Sequence, residues 1–347
     1  MTAASDNPKR QDSLIRTLGL SLLICCLGTA VVLLIFISSN RIDKQPRTDL
    51  RHIPPEWIGY RQTVTFVCPI KGKATCFAVF DDSTFVIGSA DPPMLSFFNE
   101  TGTLLRTIDL PEEPRAIVCG TPDTIFTDKI VVAYSRQIAV YSAEGHCEDL
   151  WKIPGRDVRS IVLTPEHLFA ACSHNCFVDR FDTTGDLNGG FGNANHMIGF
   201  YGFVVFAAPI TMTFSPQSGL LYTANPGRHR VEVFTQDGIY QPELSWGEPS
   251  GKLDGFTACC NPIGLAVLGD GRILTVEKGI SRIKIYRTDG TLDTVVAGPD
   301  VLDNLPPEIG RTPLEPGGRY FSAIPLAEGR IAVFDFSGAV LRIFAPL

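Results

Sequence analysis

The chain lacks the short motifs that mark most enzyme active sites. There is no nucleophile elbow, P-loop, H-E-x-x-H or dinucleotide fingerprint, so activated-serine, phosphate-cradling, zincin and Rossmann chemistry are each without their signature. No C-x-x-C occurs, which removes the zinc-ribbon, thioredoxin and covalent c-type haem patterns. Basic charge is also short: 30 Lys and Arg face 37 Asp and Glu, and beyond Arg51 the balance is 23 against 33. Binding a phosphate backbone needs a basic face, so no nucleic-acid partner is expected.

One long uncharged run is present. Residues 18–37 (LGLSLLICCLGTAVVLLIFI) carry no charge over 20 positions, enough for a helix to cross a bilayer core. A cleavable signal peptide would be shorter and end in a small-x-small site, whereas this run ends in Ser38-Ser39-Asn40-Arg41. An uncleaved signal anchor over 18–38 is therefore expected, behind a tail at 1–17. Cationic residues flank both ends, so the positive-inside rule does not choose an orientation. The short tail and the large domain behind it favour an exported, periplasmic C-terminal domain on the inner membrane. Residues 39–59 are polar, charged and proline-bearing with no sustained period, which reads as a stalk.

From residue 60 to 347 the chain repeats. Its clearest unit is residues 256–299: an apolar run at 263–268, the turn Gly269-Asp270-Gly271, a β-branched run at 272–277, a break at Lys278-Gly279, an alternating run at 282–286, and the turn Thr288-Asp289-Gly290. These are four short strands joined by tight turns. A meander of this size cannot bury both faces alone and must stack on copies of itself. Copies follow from an aromatic four residues before a turn glycine: Phe98 and Gly102, Tyr141 and Gly145, Phe181 and Gly185, Phe234 and Gly238, Tyr286 and Gly290. Phe344 matches the same strand position without a following turn. Glycine spacings of 40 to 53 residues fit a propeller blade.

The expected fold is an all-β, six-bladed β-propeller preceded by one transmembrane helix. The last copy, 321–346, has three strands, and residues 62–70 (QTVTFVCPI) form an orphan alternating strand ahead of the first blade. Pairing the two closes the ring and removes a sheet edge. Residues 209–246 are read as a four-stranded blade with QPELSW as its outer strand.

Asn261-Pro262-Ile263-Gly264-Leu265-Ala266-Val267, Gly269-Asp270-Gly271-Arg272, residues 282–286 (RIKIY) and Asp289-Gly290 resemble the NHL repeat, which builds six-bladed propellers. The fourth blade resembles it in Thr223-Ala224-Asn225, residues 230–234 and Asp237-Gly238. With Cys259-Cys260, Glu277-Lys278-Gly279 and residues 295–299, the fifth blade is also similar to uncharacterised membrane-anchored bacterial NHL proteins, which carry over no chemistry. NHL blades place Asp at the end of the second strand, where this chain has Asp91, Ser135, Ser173, Asn225, Glu277 and Asp335. Most of these suit a turn cap. Six-bladed lactonases of the gluconolactonase type hold a divalent metal with Glu, Asn and Asp at the channel mouth. That resemblance implies Glu277, Asn225 and Asp335 as oxygen ligands for a cation such as Ca²⁺, although the family's strand motifs are not visible around them.

Eight of the 10 cysteines lie outside the apolar run. An even number in an exported domain suggests structural disulfides, whose pairing the sequence does not choose. Vicinal Cys259-Cys260 precedes the innermost strand of its blade, at the channel rim. It is read either as two cysteines bridged elsewhere or as a thiol or metal site; bonding to each other would distort the intervening peptide. The candidate ligand-binding residues are Cys259, Cys260, Asn261, Glu277, Lys278, Asn225 and Asp335. Residues 185–202 and 299–319 read as long loops beside them. The function expected is binding or scaffolding of a protein or small-molecule ligand on the propeller face, with a metal-dependent hydrolase, lactonase or lyase and a thiol redox accessory as alternatives.

Overall fold

The computed structural model describes residues 50–81, 83–153, 157–172, 176–192, 203–204, 209–306 and 319–347. The expected anchor at 18–38 lies outside them; among the described residues no helix is long and apolar enough to cross a membrane.

Six antiparallel sheets are formed, five of them consecutive meanders and the sixth closed by the first strand of the domain. Blade one is β2 (Lys73–Asp81), β3 (Thr84–Ala90), β4 (Met94–Asn99) and β5 (Leu104–Asp109). Blade two is β6 (Ala116–Cys119), β7 (Ile130–Ala133), β8 (Gln137–Tyr141) and β9 (Cys147–Lys152), and blade three is β10 (Val158–Leu163), β11 (Leu168–Cys172), β12 (Phe177–Phe181) and β13 (Leu187–Phe191). Blade four is β14 (Met212–Ser215), β15 (Leu220–Asn225) and β16 (Arg230–Phe234), and blade five is β17 (Gly264–Val267), β18 (Ile273–Glu277), β19 (Arg282–Tyr286) and β20 (Leu292–Ala297). Blade six joins β21 (Phe321–Pro325), β22 (Ile331–Asp335) and β23 (Val340–Pro346) to β1 (Tyr60–Val67), in the order β1-β23-β22-β21.

The closing pair is antiparallel, with Tyr60 opposite Pro346 and Val67 opposite Val340. The first strand of the domain thus fills the outer place left by the last blade and covers the edge of β23. It begins two residues earlier than the alternation indicated and ends at Val67, before Pro69 removes a donor.

The compact unit begins at Leu50. Residues 50–59 dock on blade five: Gly59 N donates to Val295 O at 3.1 Å, Thr294 Oγ1 donates to Trp57 O at 3.0 Å, and Arg282 Nη2 donates to Leu50 O at 2.8 Å. The described end of the expected stalk is therefore part of the domain.

Hydrophobic side chains collect in six clusters, each between two neighbouring blades. The cluster between blades six and one contains Phe77, Phe85, Phe98, Phe334 and Leu341, so the last interface is packed like the others. This arrangement changes what alternation means. Arg282, Lys284 and Tyr286 were expected on a half-buried strand, yet every residue of β19 is buried. Both faces of a middle strand meet a neighbouring blade: Ile283 and Ile285 join the core with blade six, and Tyr286 the core with blade four. The repeated glycine has a related cause. Gly290 has φ +82°, and a Cβ there would lie 2.5 Å from the Trp246 ring of the preceding blade.

Blade four differs from expectation. Residues 241–246 do not form its outer strand; Pro242–Leu244 is a 3-10 turn, with single bridges from Tyr240 to Phe234 and from Trp246 to Val231. Pro242 has no N–H to offer a ladder, and the Ser245 hydroxyl instead accepts Val233 N at 3.0 Å.

Candidate functional site

A meander repeated around a ring brings the starts of all innermost strands to one end of the channel, together with the turns that follow the second strands. The described cavity at the centre is about 590 Å³, within the range of small-molecule sites. Its lining is divided by blade. Blades one to three contribute Lys73, Arg115 and Arg159, with Glu113 the one lining carboxylate. Blades four to six contribute no charged side chain, only Met212, Ile263, Leu265, Phe321 and Ile324 beside the hydroxyls of Thr211, Tyr320, Ser322 and Ser337, while Phe77, Ile117 and Ile161 carry apolar surface into the charged half.

The cations are held from the side. Arg115 Nη2 stands 3.5 Å from Glu113 Oε2, and its Nε is buried with no hydrogen-bond partner among the described residues. Arg159 is paired with Asp157 at 2.9 Å. Lys278 adds a further positive group behind the wall: its Nζ donates to Tyr320 Oη at 3.1 Å, and Tyr320 lines the cavity. In a chain of net charge −7, the channel mouth is a local positive region next to an apolar wall.

Among the residues expected to bind ligand, Cys259, Cys260, Asn261, Glu277 and Lys278 form one contiguous group. Asn261 is fully buried and works as a clasp, its Oδ1 accepting Lys278 N at 2.9 Å and its Nδ2 donating to Lys278 O at 3.0 Å. Glu277 Oε2 accepts Thr257 N at 3.1 Å, and Oε1 lies 2.7 Å from Lys284 Nζ, with both side chains shut from solvent. Lys284 Nζ also donates to Leu253 O at 2.9 Å and Gly255 O at 2.8 Å and lies 4.8 Å from the Phe256 ring. Burial holds its ammonium below the usual lysine range, and the adjacent Glu277 opposes that shift. These polar contacts fix the segment that carries Cys259 and Cys260 at the rim.

Asn225 and Asp335 are not part of that group. Asn225 Nδ2 donates to Glu232 Oε2 at 2.9 Å inside blade four, and burial pushes the Glu232 carboxyl up. Asp335 lies 3.4 Å from Arg319 and 4.0 Å from Arg342 inside blade six; burial raises its carboxyl and lowers the Arg342 guanidinium. Asn225, Glu277 and Asp335 each face a partner in their own blade and do not converge. Among the described residues no group of three or more His, Cys, Asp or Glu is placed to hold a metal ion. The residues present therefore do not fit the divalent-cation site that lactonases of this shape would imply.

A regularity missed in the sequence explains these positions. The polar residue ending the second strand meets a polar residue seven positions later, on the third strand. The pairs are Cys172 with Asp179, Asn225 with Glu232, Glu277 with Lys284, and Asp335 with Arg342. Ser89 and Ser96, both buried, occupy the same diagonal in blade one. A buried polar group without a partner costs free energy, so a position that starts polar selects a polar match across the sheet. Arg115 and Arg159, at the starts of innermost strands, line the channel and carry no sequence motif that marks them as binding groups.

The cysteines form no disulfide among the described residues, so the expected structural bridges are not made. Cys68 and Cys76 are buried in the blades and pack as small apolar groups, while buried Cys172 donates to Asp179. Burial pushes the Cys68, Cys76 and Cys119 thiols up to about 12. Ser173 and most of residues 193–208 and 307–318 lie outside the described residues.

No protein-family model matches the chain, and no curated protein does. Its fold is similar to solved propellers of low identity. A structural-genomics protein of unknown function from Bacteroides thetaiotaomicron superposes with TM-score 0.54 at 15% identity, over 84% of this chain and 73% of that one. A catalytically inactive virginiamycin B lyase from Staphylococcus aureus, solved with quinupristin, gives 0.53 at 13%, over 80% and 83%. The β-propeller domain of Cps50 (Swd1) from Myceliophthora thermophila gives 0.52 at 11%, over 83% and 100%. The likeness is one of fold. The chain is a six-bladed, all-β propeller.

Proposed function

We propose that this propeller is an NHL-type binding module, anchored by residues 18–38 and facing the exported compartment, whose channel takes a small anionic ligand with an apolar body. The divided lining carries the reading: Lys73, Arg115 and Arg159 on one half and an aliphatic and aromatic wall on the other. A charge-assisted hydrogen bond from an arginine suits a carboxylate or phosphate, while the apolar wall rewards desolvation of the rest. A solved structure of similar fold, the virginiamycin B lyase, was determined with quinupristin, which is consistent with a ligand-binding propeller.

Octyl phosphate tests the pattern by isothermal titration. It should bind, inorganic phosphate more weakly, and octylamine not at all. Arg115→Gln should weaken octyl phosphate about ten- to a hundredfold, since a charged hydrogen bond contributes about 1.5–3 kcal/mol. Equal binding of octyl phosphate and octylamine would remove the electrostatic part. For the topology, a reporter fused after Leu347 should be active only in the exported compartment; a cytoplasmic signal overturns the anchored, exported reading.

A further inference from the structure

The segment before β17 holds a feature the channel reading does not use. The Sγ atoms of Cys259 and Cys260 stand 2.9 Å apart, while bonded sulfurs lie about 2.0 Å apart. Cys259 is exposed and Cys260 is 1% exposed, within the core between blades five and six. The backbone here is unusual on both sides of the pair: Ala258 has φ +58° and Cys260 φ +66°, neither being glycine. Side-chain-bearing residues persist in that region only where the surroundings impose it, and such positions gather at functional sites. The surroundings do impose it, through the Asn261 clasp on Lys278 and the hold of Glu277 on Thr257.

We propose that Cys259 and Cys260 form a reversible vicinal disulfide, a thiol–disulfide exchange site at the channel rim, independent of what the channel binds. The folded segment already brings the two sulfurs to within about 1 Å of bonding distance, so little movement is left for oxidation to impose. The oxidant is a disulfide, either of low molecular weight or in a partner oxidoreductase. The exposed Cys259 thiolate attacks one sulfur of R–S–S–R and releases R–S⁻, leaving a mixed disulfide on Cys259. Cys260, its proton lost to solvent, attacks the Cys259 sulfur and releases the second R–S⁻. Two thiols lose two protons and two electrons, and the oxidant leaves as two RSH. Of the other described thiols, Cys68, Cys76 and Cys172 are buried and burial pushes the Cys119 thiol up, which leaves exposed Cys147 and half-buried Cys176 as the competitors the test must separate.

The sequence makes the test direct, because cleavage after Lys252 and Arg272 yields a peptide whose two cysteines are Cys259 and Cys260. The full chain is equilibrated with reduced and oxidised glutathione, alkylated with iodoacetamide, digested and weighed. Under oxidised glutathione the peptide should appear two hydrogens lighter and unalkylated; under reduced glutathione it should carry two alkyl groups. Phenylarsine oxide, which needs two adjacent thiols, should bind the reduced protein and lose that binding in Cys259→Ser. Two alkyl groups at every glutathione ratio would overturn the proposal. So would Cys259 stopping at a glutathione adduct, or bridging to another peptide such as that of Cys147. The wild-type measurement decides even if Cys259→Ser fails to fold.

Discussion

Lys284 places a charge where no water reaches, and its neighbours show what keeps it there. Glu277 at 2.7 Å and the carbonyls of Leu253 and Gly255 take its hydrogens, and the Phe256 and Tyr286 rings lie beside it. Removing one member of such a pair strands the other in a low-dielectric place, which costs more than the pair itself contributes. Lys284→Met should therefore destabilise the domain by about 3–5 kcal/mol in urea unfolding, and adding Glu277→Gln should recover much of the loss. If the single variant is near neutral, Glu277 is not held by this pair and a ligand role for it returns. The contrast with Arg115 is one of position: Lys284 sits on the third strand of its blade, packed between sheets, whereas Arg115 stands at the start of an innermost strand, borders the cavity and retains a buried N–H without a partner among the described residues.

At the scale of strands, what the sequence shows depends on what each pattern encodes. Turn glycines and the aromatics before them mark the third strand of blades one to five, because a left-handed turn and an interblade contact both demand them. The orphan strand was legible for the same reason: alternation and a missing partner are local facts. Pairing partners seven residues apart were not legible, since the diagonal across β18 and β19 that joins Glu277 to Lys284 exists only once the register is set. The outer edge of blade four was misread because QPELSW alternates like a strand while Pro242 breaks the ladder. The closure itself is testable. Excising residues 60–67 from the full chain should bare the edge of β23 and shift the protein to larger species on a sizing column; an unchanged elution volume with the same thermal midpoint would contradict the pairing.

For the whole molecule, six interblade cores of similar make-up hold a ring, and the ring holds a cavity whose two halves differ in character. That asymmetry is invisible along the chain. Lys73, Arg115 and Arg159 are separated by about forty residues each, and they meet only because equivalent strand starts are gathered by the fold. The positive mouth works against the overall charge of −7, which keeps anions at a distance elsewhere and makes the channel the favoured place for one. A second hollow of about 530 Å³ lies beside Trp57, Trp246 and Leu253, and its charged lining is Glu248 and Asp254, so it offers an anion no lining cation. The measurement that bears most directly on the account is a crystal structure of the protein soaked with octyl phosphate. The phosphate is expected within hydrogen-bond distance of Arg115 and Arg159, with the alkyl chain against Ile263 and Leu265; density confined to the second hollow, with the channel unchanged, would contradict it.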